Sequence, residues 1–115
     1  MKIATGKRPV AQGDVLFRRI KKLPENVGPE QAPVNGKLIV THSETGHHHT
    51  TRADMVRLYG EQSALVAYLV AESAYADIEH ERPWDTHEPL RLPKGIWEIR
   101  RQREHTPEGW QRVAD

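Results

Sequence analysis

The chain has 115 residues, enough for one domain and too few for a second with its own core. Apolar residues make up 37% and charged residues 29%, so a thin core with a polar rim is expected. The absence of cysteine excludes disulfides, thiol catalysis and thiolate metal sites, leaving His, Asp and Glu as the strong ligands. No window approaches the roughly 18 apolar residues of a membrane span, and the opening MKIATGKRPVAQGD lacks the apolar stretch of a signal peptide. A soluble, cytoplasmic protein is the expectation. The formal charge of +1 is unevenly spread: residues 1 to 57 carry ten Lys/Arg against five Asp/Glu, and residues 58 to 115 carry seven against eleven. Opposite halves attract within one fold, which favours internal complementarity over a nucleic-acid surface.

Residues 1 to 12 are polar and punctuated by Gly and Pro, which predicts a flexible N-terminal arm ahead of a single β-rich domain over 13 to 115. DVLFRRI, residues 14 to 20, is rich enough in β-branched and aromatic side chains for a strand, ended by Leu23-Pro24. PENVGPEQAPVNG, residues 24 to 36, is loop chemistry closing on an Asn-Gly turn, after which a strand resumes at Lys37. KLIVTHSE then leads into TGHHHTT, where Gly46 permits a turn or bulge before a second extended segment. The apolar run Ala64 to Ala71 is open to helix or strand, with a buried strand the better fit to its short length and its flanks. AYADIEH alternates Ala74, Ala76 and Ile78 against Tyr75, Asp77 and Glu79, the pattern of a half-buried strand. LRLPKG reads as a turn, and GIWEIRRQRE as a strand over residues 96 to 103 with Trp97 and Ile99 inward. Thr106-Pro107-Glu108 has the form of a helix start, predicting a short C-terminal helix. The expected class is mostly β: a small single-domain β-barrel or sandwich ending in that helix.

Seven histidines are the compositional anomaly, and six fall in two groups: His42, His47, His48 and His49, then His80 and His87. On a strand, His47 and His49 share one face while His48 takes the other, so a His-x-His pair can chelate one ion. The expected metal set is His47 and His49, completed by His80 or His87 and by His42, with Asp54 a further candidate and Glu79 or Glu81 supporting from behind. Imidazole and carboxylate suit a divalent transition metal such as Zn, Fe, Mn or Ni, and three protein ligands leave a position for water or substrate. The bland alternative is a polar turn. No catalytic residue can be assigned: Ser43 lacks a nucleophile elbow, and Gly-rich phosphate loops are absent. Arg18, Arg19, Arg100, Arg101 and Arg103, with Lys21 and Lys22, are the residues a nucleic-acid surface would use, but one Phe, three Tyr and three Trp make a poor stacking platform. Arg101 and Arg103 are in phase with Trp97, which turns them towards the core side. A thin core and an unprotected edge near Leu65 to Val70 also suggest a homo-oligomer.

GDVLFRRI, ETGHHHT, EHERPWDTHEPLRLPKGIWEIRRQRE and TPEGWQRVAD resemble a set of small uncharacterised bacterial and phage proteins. In that set a Gly-Asp start, a Gly-His-x-His segment and a Glu-His/Pro-x-Gly/Gln-Arg-Glu half recur. The resemblance covers most of residues 13 to 115 and implies one compact unit of bacterial or phage origin, without implying an activity. A more distant likeness is to cupins, metal-holding β-barrels: His47, His49 and Asp54 look similar to their first ligand group, and Pro93 and Gly95 to part of their second. The glycine expected before the pair is missing, Asp stands in place of Glu, and no histidine follows Gly95 until His105. The leading expectation is a histidine-lined metal protein; the alternatives are a non-catalytic interaction module that docks a partner protein in a phage or defence assembly and, behind it, nucleic-acid binding.

Overall fold

A computed structural model describes residues 1–41, 49–60, 65–80, 89–101, 103–106 and 109–112, with the backbone alone for Thr41, His80 and everything after 101. The described residues contain ten strands and no helix. Eight of the strands form one curled sheet: β1 (Lys2–Ile3), β2 (Val10–Gln12), β3 (Val15–Ile20), β4 (Lys37–Thr41), β5 (His49–Arg52), β6 (Val56–Tyr59), β7 (Val66–His80) and β8 (Leu90–Arg101). No helix in the described residues is long and apolar enough to cross a membrane.

The sheet is organised by β7 and β8, an antiparallel pair in which each strand serves two layers. Residues 66–71 of β7 lie between β6 and the second half of β8, and β3 and β2 continue that layer outward. Residues 75–80 of β7 turn to the other layer, flanked by β5 and by the start of β8, with β4 and the parallel β1 at its borders. The change happens where the register shifts between Ala71 and Tyr75, an irregularity that bends the ladder and re-aims its side chains. Leu69 and Ala71 face inward before it and Ala76 and Ile78 after it, while β8 makes the matching change from Leu90 and Leu92 to Trp97 and Ile99. Both layers thereby send their apolar rows into one core, completed by Val15, Phe17, Leu38, Val40, Val56 and Leu58.

The run Ala64 to Ala71, open to two readings, is a strand in its described part, and Trp97 is fully buried as its alternation requires. Asn35, with φ of 51°, forms the expected turn with Gly36, closed by reciprocal bonds between Val34 and Lys37 of 2.8 and 3.0 Å. Three expectations need correction. LRLPKG is not a turn; β8 runs through it, because Pro93 sits opposite Tyr75 at the irregular stretch, where its missing N–H costs no regular ladder bond. Gly95 takes the bend itself, where a Cβ would come within 2.8 Å of Arg19 Nε. Instead of a C-terminal helix, β9 (Arg103–Thr106) pairs antiparallel with β10 (Gly109–Arg112). A helix starting at Thr106 would have had Gly109 in its first turn and too few residues to repay nucleation. Lastly, Leu65 to Val70 is not an edge: β6 and β8 pair on either side of it, and Gln31 and Gly60 bond across the far side of β6. Of the predicted N-terminal arm, Lys2–Ile3 runs beside β8 and Val10–Gln12 beside β3.

Candidate functional site

Where the two layers meet, the described residues hold a buried polar group amid the apolar core. β2 and β3 are joined by a two-residue turn, Gly13-Asp14, closed by the pairing of Gln12 with Val15. Gly13 has φ of 59°, the positive value that a type II′ hairpin asks of its first central residue, which is why glycine precedes Asp14. An aspartate at such a turn is ordinarily solvated, yet Asp14 is only 6% exposed. Gln12 is 4% exposed and His49, the first residue of β5, is 1% exposed.

Gln12 Nε2 donates to the carbonyl of Ile78 in β7 at 2.9 Å. This leaves its Oε1 facing His49 Nδ1 at 2.8 Å. An amide oxygen only accepts, so Nδ1 carries the hydrogen and Nε2 holds the lone pair of the neutral ring. Nε2 in turn lies 3.6 Å from Asp14 Oδ1. One side chain thus ties β2 to β7 and sets the tautomer of an imidazole in β5.

The two histidine groups converge at this corner. β5 and β7 pair with His49 opposite His80 and Thr50 opposite Glu79. Thr50 and Thr51 are buried, whereas Glu79 is exposed. His42, His47, His87 and Glu81 lie outside the described residues, and for His80 the backbone position is described. Among the described residues no three His, Asp or Glu side chains gather as a metal-holding group. Asp54 takes no part in the corner: its side chain is 74% exposed and pairs with Arg52 at 2.8 Å. Sequence reasoning passed over Gln12 and Asp14, although the Gly-Asp dipeptide of the recurring start was a usable signal.

The basic residues are held differently. Arg18 and Arg100 both bond to Glu98, at 3.1 and 3.3 Å. Burial pushes the Glu98 carboxyl up, but the two arginine hydrogen bonds and charges outweigh it, and its pKa falls below the ordinary value. Arg19 lies against Gly6 and Gly95 and donates to the Lys94 carbonyl at 2.6 Å. Arg101, in phase with the core side as expected, is half-buried; the side chain of Arg103 lies outside the described residues. On the second layer, Arg91 grips Asp77 through two bonds of 2.8 and 3.0 Å and stacks 3.6 Å from the centre of the Tyr75 ring. The hydrogen bond from Asp77 raises the Arg91 pKa further.

Residues 11–102 match the family described as domain of unknown function DUF8820. The chain belongs to that family. The match takes in the Gly13-Asp14 turn, both layers and both histidine groups. No curated protein and no solved structure matches the chain.

Proposed function

We propose that this DUF8820 protein binds a divalent transition metal at the corner where β5 meets β7. The observation that carries the reading is the register that sets His49 opposite His80, since directly opposed residues of an antiparallel pair have Cβ atoms about 4.5–5.5 Å apart. Two histidines remote in sequence therefore come within reach of one ion. His47, two residues before His49, with His42 and His87, are the remaining imidazoles the sequence offers. In a chain without cysteine such a site favours Zn, Fe, Mn or Ni, for structure or for a hydrolytic or oxidative reaction at an open coordination position. Untagged protein, stripped with chelator and reloaded, should hold close to one equivalent of Zn(II). His49→Ala and His80→Ala should each lose it, and His48→Ala, at the alternate strand position, should keep it. Wild-type protein that binds no divalent transition metal tightly would overturn the reading.

A second reading, an interaction module or homo-oligomer, is favoured by the outer face of the first layer. Leu16, Ile20, Val66, Tyr68, Val70 and Ile96 all project there and all are half-buried. Self-association would use this face, because the suspected edge is interior. Light scattering over a wide concentration range tests it, and a monomeric mass throughout removes the homo-oligomer.

A further inference from the structure

The corner contains a carboxylate that the histidine pattern does not call for. We infer that Asp14 is a ligand of the metal held there and that Gln12 is a positioning residue that makes Nε2 the coordinating atom of His49. This rests on the metal reading above and extends its donor set from imidazole alone to imidazole plus carboxylate.

The argument begins with the fixed tautomer. Gln12 gives its N–H to Ile78 and accepts from His49 Nδ1, so the neutral ring presents the lone pair of Nε2 to Asp14 Oδ1. Two electron-rich atoms face one another in a corner where both residues are more than nine-tenths buried. That arrangement calls for a cation between them, either a proton or a metal ion. A shared proton would draw the pair to about 2.7–2.9 Å, the length of a charge-assisted hydrogen bond. The separation is 3.6 Å. Two donors each about 2.1 Å from one tetrahedral ion stand about 3.4 Å apart, close to the observed spacing. An imidazole whose second nitrogen is tied to an outer acceptor is also the usual arrangement of a metal-bound histidine. The hairpin supplies the rest, because Gly13 allows the tight turn that points Asp14 inward and the Gln12–Ile78 bond fastens that turn to β7. The ion is accordingly a borderline divalent cation such as Zn(II), Fe(II) or Mn(II), and a soft ion such as Cu(I) is disfavoured.

The test compares wild type, Asp14→Asn and Gln12→Met, with Glu72→Gln as an exposed control, using Co(II) as a spectroscopic probe and Zn(II) in competition with a chelator. Ring nitrogen shifts of His49 are recorded in the metal-free protein, and thermal melts are run with and without Zn(II). Asp14→Asn should bind at least about 100-fold more weakly and lose the Zn(II)-induced rise in Tm, yet melt no lower than wild type when metal-free, because an opposed acceptor has been removed. Gln12→Met should bind about 10- to 100-fold more weakly and give mixed His49 tautomers where wild type gives the Nδ1–H form. Equal metal affinity in wild type and Asp14→Asn overturns this inference and leaves the metal reading standing. A metal-free Asp14→Asn that melts well below wild type also overturns it, since Asp14 would then be a structural partner of an imidazolium. Wild type that binds neither Co(II) nor Zn(II) overturns both.

Discussion

Glu98 and Asp14 are both carboxylates that folding removes almost completely from water, at 8% and 6% exposure, and they are neutralised in opposite ways. Glu98 lies on the outer face of one layer between two guanidinium groups that stay charged at any ordinary pH, so its charge is balanced from within the chain. Asp14 lies inside, facing an imidazole whose charge is conditional and whose proton is directed away from it by Gln12. A carboxylate held by arginines is part of the scaffold; one held against the lone pair of a histidine is suited to a cation brought from outside. Burial alone therefore does not mark a functional acid, whereas the identity of the facing group does.

The comparison is broken most severely at His49. Replacing it by Ala removes the ring between Gln12 and Asp14 and leaves two buried polar groups facing a cavity, a loss of about 3 kcal/mol or more in urea unfolding. Next in size is the metal itself: Zn(II) at about 100 times its Kd should add about 2.7 kcal/mol to wild type, and should add nothing to Asp14→Asn at the same concentration. Glu98→Gln is the matched change on the outer face. It should cost about 1 kcal/mol at neutral pH, with or without Zn(II), because its arginine partners are themselves half exposed and solvent screens them. The folded-state pKa of Glu98 is lowered, so its stabilisation is present above the ordinary value of 4.5 and is lost as pH falls through the folded value. Wild type and Glu98→Gln should consequently converge in acid unfolding below about pH 4. A constant gap between them across that range would count against the arginine clamp.

How much of this could be read in advance differs between the two regions. Local signals are faithful where one element decides its own structure: the Asn35-Gly36 turn, the inward Trp97, and the alternation that buries Ala76 and Ile78 all follow from nearest neighbours in sequence. Signals fail where two strands must agree. Pro93 and Gly95 look like the end of a strand, and are tolerated inside β8 because β7 carries the matching irregularity some twenty residues earlier in the chain. The histidine clusters were visible as composition, and the pairing of His49 with His80 depends on β7 continuing past the bend to reach β5. Asp14 and Gln12 were hidden for another reason. Gly-Asp is ordinary turn chemistry, and nothing local says that this turn closes over a histidine 35 residues away.

The smallest expected effect separates two aspartates of the same chain. Asp54 follows the histidine cluster as an acid follows the His pair in cupins, and by sequence it was the nearer candidate ligand. In the structure it follows β5 at the surface, 74% exposed, 2.8 Å from an equally exposed Arg52, beside the shallow depression formed by Thr51, Val56 and Tyr75. An ion pair in that setting gains little Coulomb energy, loses side-chain entropy and is screened by salt. Asp54→Asn should therefore change unfolding free energy by less than about 0.5 kcal/mol and Zn(II) affinity by less than about twofold. Asp14→Asn, the same chemical change, should cost about 100-fold in affinity, a ratio of roughly fifty between two positions that differ in burial and in what they face. Titrating the two variants side by side against one chelator measures that ratio directly. A larger loss in Asp54→Asn than in Asp14→Asn would move the carboxylate ligand to the end of β5, and would return the cupin-like spacing of His47, His49 and Asp54 to first place.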